Sequence, residues 1–133
     1  MGTAMKAGMS APARTVIAHA ADLTVAGLAF LLAPEGVARL LGVTAEPYLV
    51  RIIGLLMLCF AAYDALFARH EDRPLIGASV VVRTCLAAAF VLLVMADLAP
   101  MPLLAFALVE VVGAAATALA MRGRPTAGPL PAH

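Results

Sequence analysis

The stretch "SVVVRTCLAAAF", residues 79 to 90, decides the fold class because it sets one arginine inside a long apolar run. An arginine in a bilayer is costly unless another group pairs with its charge. The run extends over residues 75–96, close to the ~20 residues that cross a hydrocarbon core. We therefore interpret it as a transmembrane helix whose Arg83 meets a partner inside the protein.

The composition of the whole chain agrees with a membrane protein. Hydrophobic residues make up 64% of it and charged residues 13%, and the mean hydropathy is +1.02. Within residues 15–121, apolar segments cover residues 15–33, 49–68, 75–96 and 103–121. Isolated strands would leave backbone groups unpaired in lipid, so the spans must be helices. The sequence predicts an all-α, integral membrane four-helix bundle with short loops.

Four other stretches of the sequence have predictions of their own. Residues 1–14 and 122–133 lack periodicity, and we expect both to be disordered. The first span resembles a signal peptide, but His19 and Asp22 interrupt it, so we expect it to be retained. After it, "PEGVARLLGV" predicts either an amphipathic helix lying flat on the outer surface or a loop with one helical turn.

The distribution of cations predicts the orientation. Six cations lie on the side shared by both termini and the second loop: Lys6, Arg14, Arg69, Arg73, Arg122 and Arg124. The opposite side has Arg39 and, at the membrane edge, Arg51. By the positive-inside rule, both termini are cytoplasmic in a multi-pass protein of the inner (plasma) membrane. The net charge of +1 gives no reason to expect a nucleic acid partner.

Polar residues inside the spans predict a buried cluster. At 1.5 Å per residue, Asp22 and Arg83 lie at roughly 10 to 12 Å from the cytoplasmic ends, His19 and Asp64 at about 6 Å, and Glu110 at about 16 Å. These groups can share one layer in the cytoplasmic half of the bundle. One paired layer costs less than separate charges facing lipid.

The charges of this cluster do not balance. Three acids, Asp22, Asp64 and Glu110, face one arginine and His19, so either the histidine is protonated or one carboxyl group is neutral. The three acids are therefore candidates for acid/base catalysis if the protein is an enzyme. Candidate ligand-binding residues are His19, Arg83 and Tyr63, although Tyr63 fits an interfacial aromatic anchor equally well. An ion-pair network that only fixes helix register remains the alternative.

Cofactor and metal sites have no support in the sequence. It has no Gly-rich phosphate loop, no nucleophile elbow, no C-x-x-C pair and no haem attachment site. His70, Glu71 and Asp72 in the second loop lack the repeated spacing of metal ligands. We expect no cofactor and no metal.

The segments "LAFLLAPEGVARLLGV", "YLVRIIGLLMLCFAAYDALFAR" and "SVVVRTCLAAAFVLLV" carry a resemblance. They are similar to small four-helix bacterial membrane proteins of the DoxX-like kind and neighbouring uncharacterised families. In those proteins a proline and a short amphipathic piece follow the first span, and "R-x-x-G" opens the second. The resemblance implies a helical membrane bundle, often an accessory protein and sometimes one linked to quinone or redox pathways. It transfers no site residue.

Three classes of function follow from these observations. The first is an accessory subunit or a binder of a lipophilic small molecule. The second is a membrane enzyme, such as an isomerase, cyclase or epoxide-opening protein, that uses buried carboxylates on a lipophilic substrate. The third is a proton- or cation-coupled transporter. The expected partners are the lipid bilayer, a lipophilic molecule, and either further copies of the chain or a membrane complex.

Overall fold

The computed structural model describes residues 8–123. Five helices follow one another: α1 (Ala11–Leu32), α2 (Pro34–Leu41), α3 (Pro47–His70), α4 (Arg73–Met95) and α5 (Leu103–Arg122). Four of them, α1, α3, α4 and α5, are long and apolar enough to cross a membrane. The prediction of an all-α bundle of four membrane helices is confirmed.

The ends of the long helices lie within a few residues of the predicted spans. α1 begins at Ala11, so residues 11–14 belong to this helix and not to a disordered segment. Its start is set by Ser10, whose hydroxyl accepts a hydrogen bond from the Ala13 amide, and by Pro12. Asp72 caps α4 in the same way through the Leu75 amide. Arg122, in the predicted C-terminal segment, likewise belongs to α5, and residues 1–7 and 124–133 lie outside the described residues.

Two helix pairs make up the bundle. α1 packs along α3, and α4 packs along α5. The pairs are joined mainly by contacts between α1 and α5, whereas α3 and α4 touch only sparingly. The α1–α5 seam includes an edge-to-face contact of Phe30 with Phe106, whose ring centroids are 6.3 Å apart. α1 is therefore the central helix, in contact with every other helix.

Glycines allow α1 and α3 to approach closely. A Cβ atom on Gly54 would lie 2.7 Å from the Gly27 carbonyl oxygen, and one on Gly27 would lie 2.9 Å from the Gly54 carbonyl oxygen. Both obstacles are backbone atoms, which cannot move without moving a helix. Small residues at a helix crossing of this kind are typical of membrane bundles.

We call the end at which α1 begins and α5 ends the terminal end of the bundle. There Ala13, Val16, Ala68 and Ile76 are almost completely buried together. The Ser10 amide donates to Glu71 Oε1 at 2.7 Å and so ties the start of α1 to the α3–α4 turn. The two described termini and this turn consequently lie on the same side of the bundle.

The short α2 lies at the opposite end, against α1 and α3. Of the two alternatives for this segment, the helix is the one observed. It begins at Pro34 and stops at Gly42, which has a left-handed φ of 68°. Ala38 is buried against the bundle, while Arg39 and Leu40 are exposed.

The outer surface of the long helices is apolar. Large side chains such as Val25, Leu92 and Val112 are more than half exposed. The mean hydropathy of the best window in each long helix lies between 1.7 and 2.3. Such a surface suits lipid and not water, and the protein is a multi-pass membrane protein.

Candidate functional site

Four ionisable side chains meet inside the bundle, one from each long helix. They are His19 from α1, Asp64 from α3, Arg83 from α4 and Glu110 from α5, and we call them the polar cluster. Between 5% and 9% of the surface of each residue is exposed. The cluster therefore links all four membrane helices in one layer.

The strongest contact in the polar cluster joins α4 to α5. Arg83 Nε donates to Glu110 Oε2 at 2.9 Å, and both side chains are buried. This distance is typical of a charge-assisted hydrogen bond, and the low dielectric constant of the interior strengthens the attraction between the two charges. The sequence predicted that an acid holds Arg83, and Glu110 is that acid.

Gly113 explains how the guanidinium fits beside α5. A Cβ atom at this position would lie 2.7 Å from Arg83 Cζ and would overlap Nη2. The glycine therefore leaves the space that the arginine head fills. In the sequence Gly113 stands three positions after Glu110, but nothing there indicates that its space belongs to Arg83.

His19 lies between the two buried acids. Its Nε2 is 3.8 Å from Asp64 Oδ2 and 3.8 Å from Glu110 Oε2, beyond hydrogen-bond length in both cases. Its Nδ1 is buried and has no hydrogen-bond partner among the described residues. Asp64 also accepts a weak hydrogen bond of 3.4 Å from the Ser79 hydroxyl. The histidine thus has two acids within reach and is bonded to neither.

The net charge of the polar cluster follows from these contacts. Arg83 pairs with Glu110, so Asp64 is left without a permanent counter-ion. One proton, on His19 or on a carboxyl group, makes the layer neutral. Asp64 and His19 together can carry this proton, since their nearest charged atoms are 3.8 Å apart.

A second polar contact lies nearer the terminal end. Thr117 is 1% exposed, and its hydroxyl donates to the Gly113 carbonyl oxygen at 3.0 Å. Thr15 Oγ1 lies 2.9 Å from Thr117 Oγ1 and so joins α1 to α5. This contact shows that the faces of α1 and α5 that carry the two threonines lie against each other.

Asp22 does not join the polar cluster, and that prediction is wrong. Its side chain is exposed on the outer surface of α1. Two side chains three residues apart on a helix point in directions about 60° apart around its axis. The His19 side chain points into the bundle, and with this offset the Asp22 side chain points away from it.

Tyr63 also lies apart from the polar cluster. It is 58% exposed on the outer face of α3 and stacks on Phe67, with ring centroids 6.2 Å apart. The neighbouring Asp64 points inward, because successive residues of a helix are about 100° apart. Of the two roles considered for Tyr63, this position is the one expected of an interfacial anchor.

Two surface hollows border α1. One, of about 290 Å³, lies at the terminal end between Ser10, Pro12, Glu71, Arg73, Ile76 and Met121. The other is an open groove of about 420 Å³ between α1 and α3, lined by Ile17, Ala20, Ala21, Thr24, Leu58, Ala61, Ala62 and Ala65. Neither hollow is lined by a residue of the polar cluster. Among residues 8–123, no three His, Cys, Asp or Glu side chains are arranged to hold a metal ion.

No protein family, curated protein or solved structure matches the chain. The resemblance to DoxX-like proteins therefore stays a prediction. The chemistry of the side chains described above must carry any proposal about function.

Proposed function

We propose that the protein is a non-catalytic accessory subunit that binds another membrane protein through the outer face of α1. One observation carries this proposal: Asp22 is exposed near the middle of a membrane helix. A carboxylate at the centre of a spanning helix costs about 2.5 to 3.5 kcal/mol in insertion experiments. A partner that covers Asp22 and bonds to it removes this cost.

The polar cluster supports a structural role for the other charges. Each of its members comes from a different long helix, so the Arg83–Glu110 ion pair and the position of His19 between the two acids support a fixed register of the bundle. An enzyme or a transporter needs access to its carboxylates from lipid or water. Asp64 and Glu110 are buried, with 13% and 9% of their side chains exposed, and neither lines one of the hollows described above.

The groove between α1 and α3 favours a second candidate, the binding of a lipophilic small molecule. It opens toward the lipid-facing surface, and alanines form much of its wall. Its one polar side chain, Thr24, donates its hydroxyl to the Ala20 carbonyl oxygen. Because no charged side chain lines it, the groove would recognise an apolar molecule by shape alone.

The accessory and enzymatic proposals predict opposite results in a strain that lacks the gene. For an accessory subunit, Asp64→Asn and Glu110→Gln restore the wild-type phenotype as long as they fold, because no chemistry depends on them. Asp22→Leu leaves the melting temperature in detergent unchanged or higher but fails to restore the phenotype. Val25→Leu, a change on the same exposed face, serves as the control and restores it.

Both the phenotype and the melting temperature of every variant should be measured. Loss of the phenotype in Asp64→Asn or Glu110→Gln, with unchanged melting and with Asp22→Leu active, would refute the accessory role. That pattern would instead favour acid/base chemistry in the polar cluster.

A further inference from the structure

The surroundings of Asp22 point to the kind of partner that would bind there. Asp22 is the twelfth of the 22 residues of α1, so it lies about 15 Å along the axis from either end of the helix. Within residues 8–123 its carboxylate has neither a hydrogen bond nor an ion pair. Along the same exposed face lie Ala18, Val25 and Ala29. The carboxylate is therefore a single negative charge on an otherwise apolar surface.

Within residues 8–123, the interior of the bundle has no free arginine or lysine for Asp22. Arg83 is the one arginine or lysine in the described part of the chain that lies near the middle of a span. It is buried, and its Nε is bonded to Glu110. Pairing Arg83 with Asp22 would break this bond and leave Glu110 as the unpaired charge.

The described residues of a second copy include no free arginine or lysine at this depth either. The exposed arginines of the described residues lie within five residues of a helix end: Arg14, Arg39, Arg51, Arg69, Arg73 and Arg122. A two-fold symmetric contact through this face would place Asp22 opposite Asp22. Two like charges at the centre of a bilayer repel each other strongly. Charge complementarity therefore favours a different protein.

The shape of the surface suits a helix. Ala18, Ala26 and Ala29 surround Asp22 at helical spacing, and none of them is fully buried. Small side chains allow the backbone of a second helix to approach closely in a membrane. A lysine or arginine on such a helix can then reach the carboxylate without leaving the apolar contact.

We propose that the α1 face around Asp22 binds a transmembrane helix of another protein that carries a lysine or arginine near its middle. This inference rests on the proposed accessory role and names the chemistry of the partner. The bond would neutralise two intramembrane charges at once. Each chain would then avoid the cost of an unpaired charge in the bilayer.

A synthetic peptide can serve as the probe. It consists of about 22 leucine and alanine residues with one lysine in the middle, and a matched peptide has leucine at that place. The full chain, with Cys59→Ala, Cys85→Ala and a fluorophore on Gly123→Cys, is placed in phosphatidylcholine vesicles. Förster energy transfer to labelled peptide, titrated at fixed lipid, gives the affinity within the bilayer.

We expect the wild-type chain to bind the lysine peptide roughly tenfold more tightly than the leucine peptide. Asp22→Asn should abolish this preference, and Asp22→Glu should keep it. Asp97→Asn, at an exposed acid just beyond α4, is the matched control and should have no effect.

Two results would overturn the proposal. One is equal affinity for both peptides, or a preference that persists in Asp22→Asn. The other is energy transfer between differently labelled copies of the chain that disappears in Asp22→Asn, which would make a second copy the partner. If the peptide preference fails while Asp22→Leu still loses the phenotype, only the chemistry of the partner is wrong. If the preference holds while Asp22→Leu restores the phenotype, the accessory role itself is wrong.

Discussion

Arg83 shows at the scale of one residue how a charge is kept inside a membrane bundle. Its guanidinium is bonded to Glu110 and occupies the space beside Gly113. The bond offsets the desolvation of both charges only while both are present. Removing one partner therefore leaves the other as an uncompensated charge in the bundle.

We predict that Arg83→Leu destabilises the protein by about 3 kcal/mol or more. Thermal melting in a mild detergent measures the effect. Val82→Leu, at the neighbouring exposed position, is the control and should change the melting temperature little. The double variant Arg83→Leu with Glu110→Leu should melt at a higher temperature than Arg83→Leu alone, because it removes the stranded acid. If Arg83→Leu melts like the wild type, the ion pair does not stabilise the fold.

The sequence could predict part of this site at the residue scale. Arg83 had to meet an acid, and the depths of His19, Asp64 and Glu110 placed them in one layer. The depth estimate says nothing about direction around the helix axis, so it could not show that Asp22 faces outward. The role of Gly113 could not be predicted either, because it depends on the Arg83 side chain reaching α5, which the sequence does not show.

At the scale of elements, the α1–α3 contact depends on the absence of side chains at the crossing. We predict that Gly54→Ala destabilises the bundle by about 1 to 3 kcal/mol, because its Cβ would lie 2.7 Å from a backbone oxygen of α1. Thermal melting in detergent again measures the loss.

Gly77→Ala is the matched control for this crossing. It changes a glycine in another membrane helix, where the new Cβ would lie 3.5 Å from Met121 Cε at the end of a flexible side chain. This variant should be neutral or up to about 1 kcal/mol more stable, since alanine favours a helix. Equal effects of the two substitutions on stability would show that α1 and α3 can move apart at this crossing at little cost.

Helix existence and length could be predicted from hydropathy, whereas helix pairing could not. Pro12, Pro47 and Pro74 lie in the first turns of their helices and extend the elements slightly beyond the apolar runs. The preference of α1 for α3 depends on two glycines that meet in space but stand 27 positions apart in the chain. Hydropathy carries no information about that match.

At the scale of the whole molecule, the terminal end is also the end with more positive charge. Among the described residues, Arg14, Arg69, Arg73 and Arg122 lie there, while Arg39 and Arg51 lie toward the end that holds α2. In the sequence, Lys6 precedes the described residues and Arg124 follows them. The positive-inside rule counts such residues close to the spans.

We therefore predict that the terminal end faces the cytoplasm and the α2–α3 loop faces outward. In a background of Cys59→Ala and Cys85→Ala, a membrane-impermeant maleimide should label Thr44→Cys in intact cells. It should label His70→Cys only after the membrane is opened; both positions are exposed, so access alone decides. The reverse labelling pattern would show that the orientation is opposite to the one predicted. Labelling of both positions in intact cells would mean that the chain inserts both ways, and the charge difference between the two ends would then be too small to fix its topology.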